Sequence, residues 1–367
     1  MKIAHILYSG LGGHGNVFFS MVKAAENTQF DFEAIFAGVE EVRDEYVAAC
    51  RACNVQWTFV HKTPGLDINF NKNIIAAIKT SKSSIIFLHG SRFFILAKLG
   101  ALVSKNKKKI VVRETQPNHL KSKADWVGLI FALLFADKMV FLTERFRKDV
   151  QKKLNWIYPP QKVSVINNGI DLNLFKPAEK IRGKLSVIGM QSRIMQTKDH
   201  AILLHAFAAF QHQYPDCEVQ LKIAGDGELM PAMQKLAEEL KISDKIEFTG
   251  MLTEVDLVNF LQSLDIYIHA SLGETMSTAI MQAMACKLPI IASDVPGISN
   301  MIENDKTGIL VPAKNSTALA DAIYTLISNP EKATALKEAA FDFAILNYSN
   351  KTMFAKYEAV FKSLVIN

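Results

Sequence analysis

Cysteine is scarce in this chain, at 4 of 367 residues. Cys50, Cys53, Cys217 and Cys286 are too few for a disulfide-stapled scaffold and suit a reducing cytoplasm. The Cys50-x-x-Cys53 pair has no second pair and no nearby His, so it falls short of a zinc or redox motif. With 18 Gly and 11 Pro, fibrous and low-complexity disordered classes are excluded. No stretch approaches the roughly 18 uninterrupted apolar residues of a membrane span. Met1-Lys2-Ile3 through Tyr8 holds one Lys and a short apolar run that soon meets glycines, which reads as a first strand and not as a signal peptide.

What the chain does have is apolar bulk, 49% hydrophobic against 21% charged. At roughly 100–200 residues per domain, this predicts two domains, each able to bury its own core. The net charge of +6 is unevenly placed: residues 1–176 carry +11, residues 177–367 carry −5, and the segment 98–153 alone carries +9. A basic first half points to an anionic partner, either nucleic acid or an acidic membrane surface. The acidic second half offers no continuous basic track, which disfavours nucleic acid.

Short apolar runs alternate with longer amphipathic stretches, the pattern of βαβ units and a parallel sheet. Strands are predicted near 2–8, 31–37, 56–60, 84–89, 109–113, 138–142 and 163–166, with helices such as 15–26, 41–53 and 142–153 between them. The polar stretch 176–184, with Pro177, reads as a linker. A second series follows, with strands near 185–190, 219–224, 246–249, 265–269, 289–292 and 309–311. Its helices are predicted near 198–213, 228–241, 253–263, 275–286, 296–303 and 316–328, and terminal helices follow Pro330. The fold class is α/β, with two doubly wound Rossmann-like domains facing a central cleft at the carboxyl ends of parallel strands.

Three places could carry chemistry. The first turn, Ser9-Gly10-Leu11-Gly12-Gly13-His14-Gly15, contains a G-x-G-x-x-G that lets backbone amides approach a phosphate. The acid that a nicotinamide site needs at the end of the next strand is missing, since that strand ends at Ala37-Gly38. Arg193 and Lys198 follow a strand and flank a helix start, where two cations can clamp a diphosphate or simply be solvated. The loop Ala270-Ser271-Leu272-Gly273-Glu274 precedes a helix of small residues. Its carboxylate can bond sugar hydroxyls, while the amides of Thr275, Met276, Ser277 and Thr278 face phosphate. Glu274 could equally be an ordinary N-terminal helix charge.

Taken in order and spacing, these residues resemble the retaining GT-B glycosyltransferases, specifically glycosyltransferase family 4 of the bacterial surface-polysaccharide type. The resemblance runs over nearly the whole chain. It includes Gly12-Gly13, Asn168-Gly169-Ile170-Asp171 with Phe175, Arg193 with Lys198, and Ile223-Ala224-Gly225-Asp226-Gly227. It continues through Phe248-Thr249-Gly250, the Glu274 loop, Ala283 to Pro289, and Asp294-Val295-Pro296-Gly297. It implies an acceptor-binding domain over 1–175, a nucleotide-sugar domain over 176–345, and a C-terminal helix over 346–367 that packs back on the first domain. It further implies that Arg193 and Lys198 bind the donor diphosphate, Glu274 the transferred sugar, Gly12 and Gly13 the diphosphate from the other side, and Gly250-Met251-Leu252 the nucleobase.

Two departures stand out. The second acid of the family's E-x7-E motif is Gln282 here, which can accept from ribose hydroxyls only through one uncharged oxygen. Thr115, in Arg113-Glu114-Thr115-Gln116, stands where many members place a catalytic-site His. Glu114, Thr115, His89 and His119 are the remaining candidates for acceptor or sugar contact. The segment Lys121 to Phe135 joins a basic edge to an apolar stretch, either a core helix or one lying in a headgroup layer. The expectation is therefore a cytoplasmic, metal-independent retaining glycosyltransferase without a cofactor. It would use a nucleotide-sugar, UDP-linked by preference, and a lipid-linked glycan acceptor. It would serve O-antigen or capsule synthesis, with weak anionic membrane contact through 98–153. A nucleotide-sugar epimerase or hydrolase of the same architecture, and a catalytically silent sugar-nucleotide-binding protein, are the alternatives.

Overall fold

The structure is a computed structural model that describes residues 1–10, 13–178 and 186–365. It divides into two compact units: residues 1–169 with 350–367, and residues 170–349. The first division falls after Gly169 and the second after Ser349, against sequence boundaries drawn at 175 and 345. The linker read at 176–184 falls largely on 179–185, outside the described residues.

Unit 1 is built on seven parallel strands: β1 (Lys2–Tyr8), β2 (Asp31–Gly38), β3 (Gln56–His61), β4 (Ile85–His89), β5 (Lys109–Glu114), β6 (Lys138–Phe141) and β7 (Val163–Val165). Its helices are α1 (Gly13–Ala24), α2 (Asp44–Ala52), α3 (Ile68–Thr80), α4 (Phe94–Leu102), α5 (Lys123–Phe135) and α6 (Glu144–Lys153). The strand order is β3-β2-β1-β4-β5-β6-β7, so β1 lies between β2 and β4 and the winding reverses there. Helices cover both faces, which is why the central strands read as unbroken buried runs: every residue of β4 is buried. One face is packed by Phe70 and Ile74 of α3, Phe94 of α4, Leu129 and Leu133 of α5, and Val150 of α6. The other takes Phe18 and Met21 of α1 and Tyr46 of α2.

Unit 2 repeats the plan with six parallel strands: β8 (Val187–Gln191), β9 (Gln220–Ala224), β10 (Ile246–Gly250), β11 (Ile266–His269), β12 (Ile290–Asp294) and β13 (Ile309–Pro312). They are ordered β10-β9-β8-β11-β12-β13, with the reversal between β8 and β11. The helices are α7 (His200–Gln213), α8 (Met230–Glu239), α9 (Glu254–Ser263), α10 (Thr278–Ala285), α11 (Ser316–Ser328) and α12 (Pro330–Asn347). A last helix, α13 (Asn350–Val365), belongs to unit 1, where Met353, Phe354, Tyr357 and Phe361 join the α1 side of the core.

Local chemistry sets several of these starts. Ser122 and Asp125 close a capping box on α5, while Thr143 and Thr253 cap α6 and α9. The helix expected over 296–303 does not form, and the chain runs there in successive turns. Gly297 sits at φ +94°, which no right-handed helix admits, and a Cβ on it would lie 1.8 Å from the Glu274 carbonyl oxygen. The turn exists because two backbones meet.

Candidate active site

In an open doubly wound sheet the loops at the carboxyl ends of the strands part at the reversal point, leaving a crevice for a ligand. In unit 2 those loops follow β8 and β11. The first carries Arg193 and Lys198, the second Glu274, so residues far apart in sequence share one sheet edge. The β8 loop is held by backbone bonds from Ser192 to Ala224 and from Ile194 to Asp226. Gly225 permits this closeness, since a Cβ there would lie 2.0 Å from the Ser192 carbonyl oxygen. Asp199, at φ +40°, then turns the chain sharply between Lys198 and α7.

Lys198 Nζ donates to Glu274 Oε1 at 2.5 Å, and His269 Nε2 lies 2.5 Å from the same oxygen. Leu272 N and Ser271 Oγ both bond the Thr197 carbonyl, at 2.9 and 3.2 Å, tying the Glu274 loop to the Lys198 turn. Burial opposes ionisation of Glu274, but Lys198 and His269 outweigh it and hold the carboxyl well below the usual carboxylate range. The group is therefore a fixed anion at neutral pH. Behind it, His269 is fully buried at the end of β11, with Nδ1 3.2 Å from the Tyr267 hydroxyl, which also bonds the Gln191 carbonyl. Burial first, then the charges of Lys198 and His269, lowers His200 to about 4, so it stands neutral beside Ser192.

Other predicted residues take different roles here. Arg193 is exposed on the β8 loop, beside the buried Ile194. The Ser277 amide bonds the Met301 sulfur at 3.2 Å and so does not face a phosphate, and Ser277 Oγ caps α10. Thr275 and Met276 are buried, whereas Thr278 opens α10 half-buried. Gln282 is buried, and its carbonyl oxygen, expected to serve a nucleotide, accepts from Gln191 Nε2 at 2.6 Å. Gly250, at φ +69°, ends β10 and bonds the Gly225 amide, and Met251 and Leu252 follow on the same edge, with Met251 exposed.

Unit 1 has its own cluster at the β1/β4 reversal. His5 Nδ1 lies 3.0 Å from His89 Nε2, and His89 Nδ1 lies 3.2 Å from Arg113 Nη1. His14, in the first turn of α1, stacks on His89 with centroids 5.5 Å apart and sets Nε2 3.2 Å from Thr115 Oγ1. Arg113 is buried and bonds Asn168, and no carboxylate among the described residues pairs with it. Burial, then the Arg113 charge, lowers His5 to about 3 and His14 to about 4, and depresses His89 as well. These imidazoles are therefore neutral hydrogen-bonding groups at physiological pH.

This geometry corrects two candidate contacts. His89 is buried with both ring nitrogens engaged, so it supports His14 and offers no nitrogen of its own. Glu114 is 1% exposed and pairs with Lys121 Nζ at 3.4 Å, fixing the loop that follows β5. Thr115 stands at that strand's end, half-buried, and His119 belongs to the turn Asn118–Leu120. Gly13 opens α1, whereas Gly12 lies outside the described residues. Sequence reasoning missed His14, His269 and Gln191. The signal was a histidine in each of three otherwise apolar strands or their ends (His5, His89 and His269), all beside a winding reversal.

A family model described as Glycosyltransferase Family 4 matches residues 11–174, and one described as Glycosyl transferases group 1 matches residues 173–343. A D-inositol 3-phosphate glycosyltransferase of Corynebacterium urealyticum is 27% identical over 221 residues, 56% of this chain and 52% of that protein. An alpha-D-kanosaminyltransferase of Streptomyces kanamyceticus is 29% identical over 157 residues, 43% of this chain and 40% of its own. The chain thus spans about half the length of these curated relatives. Among solved structures, a glycosyltransferase from Rickettsia africae superposes with a TM-score of 0.82 at 20% identity, covering 100% of this chain and 99% of the other. HepE of Anabaena in complex with UDP-glucose gives 0.83 at 18% identity, covering 99% and 100%.

Proposed function

Since the chain belongs to the family 4 glycosyltransferases and has their GT-B fold, we propose that it moves a sugar from a nucleotide diphosphate, UDP by preference, to a hydroxyl of a glycan, with retention at the anomeric carbon. Unit 2 takes the donor and unit 1 the acceptor. The observation that carries this reading is the Lys198–Glu274–His269 constellation at the β8/β11 reversal. A UDP donor is supported by the likeness to HepE, whose structure holds UDP-glucose.

In the proposed reaction the acceptor oxygen bonds the anomeric carbon on the face that the diphosphate leaves. The carbon–oxygen bond to phosphate breaks, and the acceptor proton passes to the departing phosphate oxygen. Lys198 and Arg193 stabilise the negative charge that develops on that oxygen, the electrostatic work a metal does in other enzymes. Glu274, kept anionic, holds sugar hydroxyls in place, and correct placement supplies much of the barrier reduction. His14 and Thr115 offer neutral hydrogen-bonding groups on the acceptor unit. The acceptor is a lipid-carried glycan in surface-polysaccharide assembly, with the basic segment 98–153 resting weakly on an anionic membrane.

A thermal-shift series with UDP-, GDP- and dTDP-sugars tests the donor, because a ligand that binds only the folded state raises the melting temperature. UDP-sugars are expected to stabilise most, and nucleotide release is expected to rise when acceptor is added. Release that ignores acceptor would point to a hydrolase. EDTA is expected to leave turnover unchanged, and a strict Mn²⁺ or Mg²⁺ requirement would overturn the metal-free mechanism.

A further inference from the structure

We propose that the paired outer faces of α4 and α5 form a docking surface that lies in the interfacial layer of an anionic phospholipid bilayer. This rests on the lipid-carried acceptor proposed above for its purpose, while its evidence is the surface itself.

On α4, Ile95, Leu99, Leu102 and Val103 are exposed; on α5, Val127, Phe131, Leu134 and Phe135 are exposed. Both sets follow the spacing i, i+4, i+7, i+8, a stripe along one helix face. It is not the face that the sheet buries. That face carries Phe94 and Ala97 on α4, and Leu129, Ala132 and Leu133 on α5, while Gly100 of α4 packs against Ile78 of α3. Each helix is thus apolar on two sides, although a helix at the surface of a sheet normally turns its polar side to water. The two helices pack against each other, so their outward stripes adjoin. Leu102 is 70% exposed and Phe135 50%, and what sets the stripes apart is that eight such side chains are grouped on two neighbouring helices instead of scattered singly.

Charge identifies the occupant. Lys98 Nζ and Lys162 Nζ donate to the carbonyls of Phe135 and Leu134, both at 3.2 Å, which places two ammonium groups at the end of the α5 stripe. Lys109 and Lys138 line the same hollow as Phe135, with Asp137 as the acid there, paired to Lys109 at 3.0 Å. Lys105 and Lys107 are exposed just beyond the α4 stripe. An apolar centre with a cationic rim complements acyl chains beneath anionic headgroups. Trp156, 75% exposed in the turn Asn155–Ile157 that packs on α5, adds an aromatic of the kind that sits at headgroup level. Helices of 9 and 13 residues are too short to cross a bilayer and are suited to lying in its surface. Because α4 starts soon after the β4 end that carries His89, this face begins beside the histidine cluster.

Cosedimentation of the full chain with phosphatidylglycerol-containing vesicles, against vesicles of phosphatidylcholine alone, is the test. The wild type is expected to bind the anionic vesicles, less tightly as salt is raised. The double variant Leu99→Ser/Phe131→Ser is expected to lose at least about tenfold in partition at every salt concentration. Lys105→Glu/Lys107→Glu is expected to lose about tenfold at low salt and much less at high salt. Both variants should keep the wild-type melting temperature and its rise with UDP-sugar, which separates lost docking from lost folding. A wild type that ignores anionic vesicles, or a Leu99→Ser/Phe131→Ser variant that binds them undiminished, overturns the proposal. So does a wild type whose stripes serve only to dimerise it, as sedimentation equilibrium would reveal. Failure to transfer sugar to a water-soluble acceptor, with vesicle binding intact, would count against the proposed reaction alone.

Discussion

Glu274 receives both Lys198 and His269 on Oε1, so its second oxygen is the one with capacity for a sugar hydroxyl. Glu274→Gln keeps the shape and removes the charge; turnover at saturating donor is expected to fall about 10²–10³-fold. Gln282→Ala is expected to raise the donor Michaelis constant with a much smaller change in turnover, through loss of the Gln191 contact. Equal losses of turnover in the two variants would refute this division. The buried histidines make a second prediction. Burial, then the Arg113 charge, holds His5 down at about 3 in the folded chain against its ordinary value when unfolded, so the unfolded chain binds more protons between pH 6.5 and about 3. Stability is therefore present above that window and falls as pH drops through it, by about 2 kcal/mol for His5 at about pH 5. Melting temperatures measured from pH 7 to pH 5 should fall, and His5→Phe should flatten the slope. An unchanged slope would assign the proton uptake elsewhere.

At the scale of elements, loops after strands β8 and β11 do the positioning, and glycine decides how closely they approach. Gly297→Ala would place a methyl group against the Glu274 carbonyl and force an L-residue into φ +94°. Strain of that kind costs about 1–3 kcal/mol, and more where a backbone atom must move. The expected result is a lower melting temperature together with a turnover loss larger than the drop in folded fraction. A variant that melts early but turns over normally when folded would separate the turn from the site. The strands themselves were legible: runs such as Ile85 to His89 and Ile266 to His269 could only be buried. The turn at 296–303 was not, because the contact that bends it comes from a loop about twenty residues earlier in the chain.

For the whole molecule, α13 is last in sequence but belongs to the core of unit 1, where Tyr357 lies 5.4 Å from Phe87 of β4 between ring centroids. Truncation before Asn350 would strip Met353, Phe354, Tyr357 and Phe361 from that core. At about 2–5 kcal/mol for each large side chain, this exceeds what a domain of this size has in reserve. Unit 1 is expected to become protease-sensitive while unit 2 retains its donor-induced thermal shift. Resistance of residues 1–169 to proteolysis after truncation would show that α13 is dispensable.

Periodicity, strand spacing and the order of short motifs were enough to predict two parallel α/β layers and to single out Lys198 and Glu274, because those features depend on neighbours along the chain. The partner of each charge was a matter for the tertiary structure. Whether His269 or a solvent molecule meets Glu274, whether Gln282 turns to Gln191, and whether His14 or His89 is the more accessible imidazole all depend on which loops converge at a winding reversal. So does the outward stripe on α4 and α5, since an apolar period of 3.6 residues is the same whichever side the sheet takes.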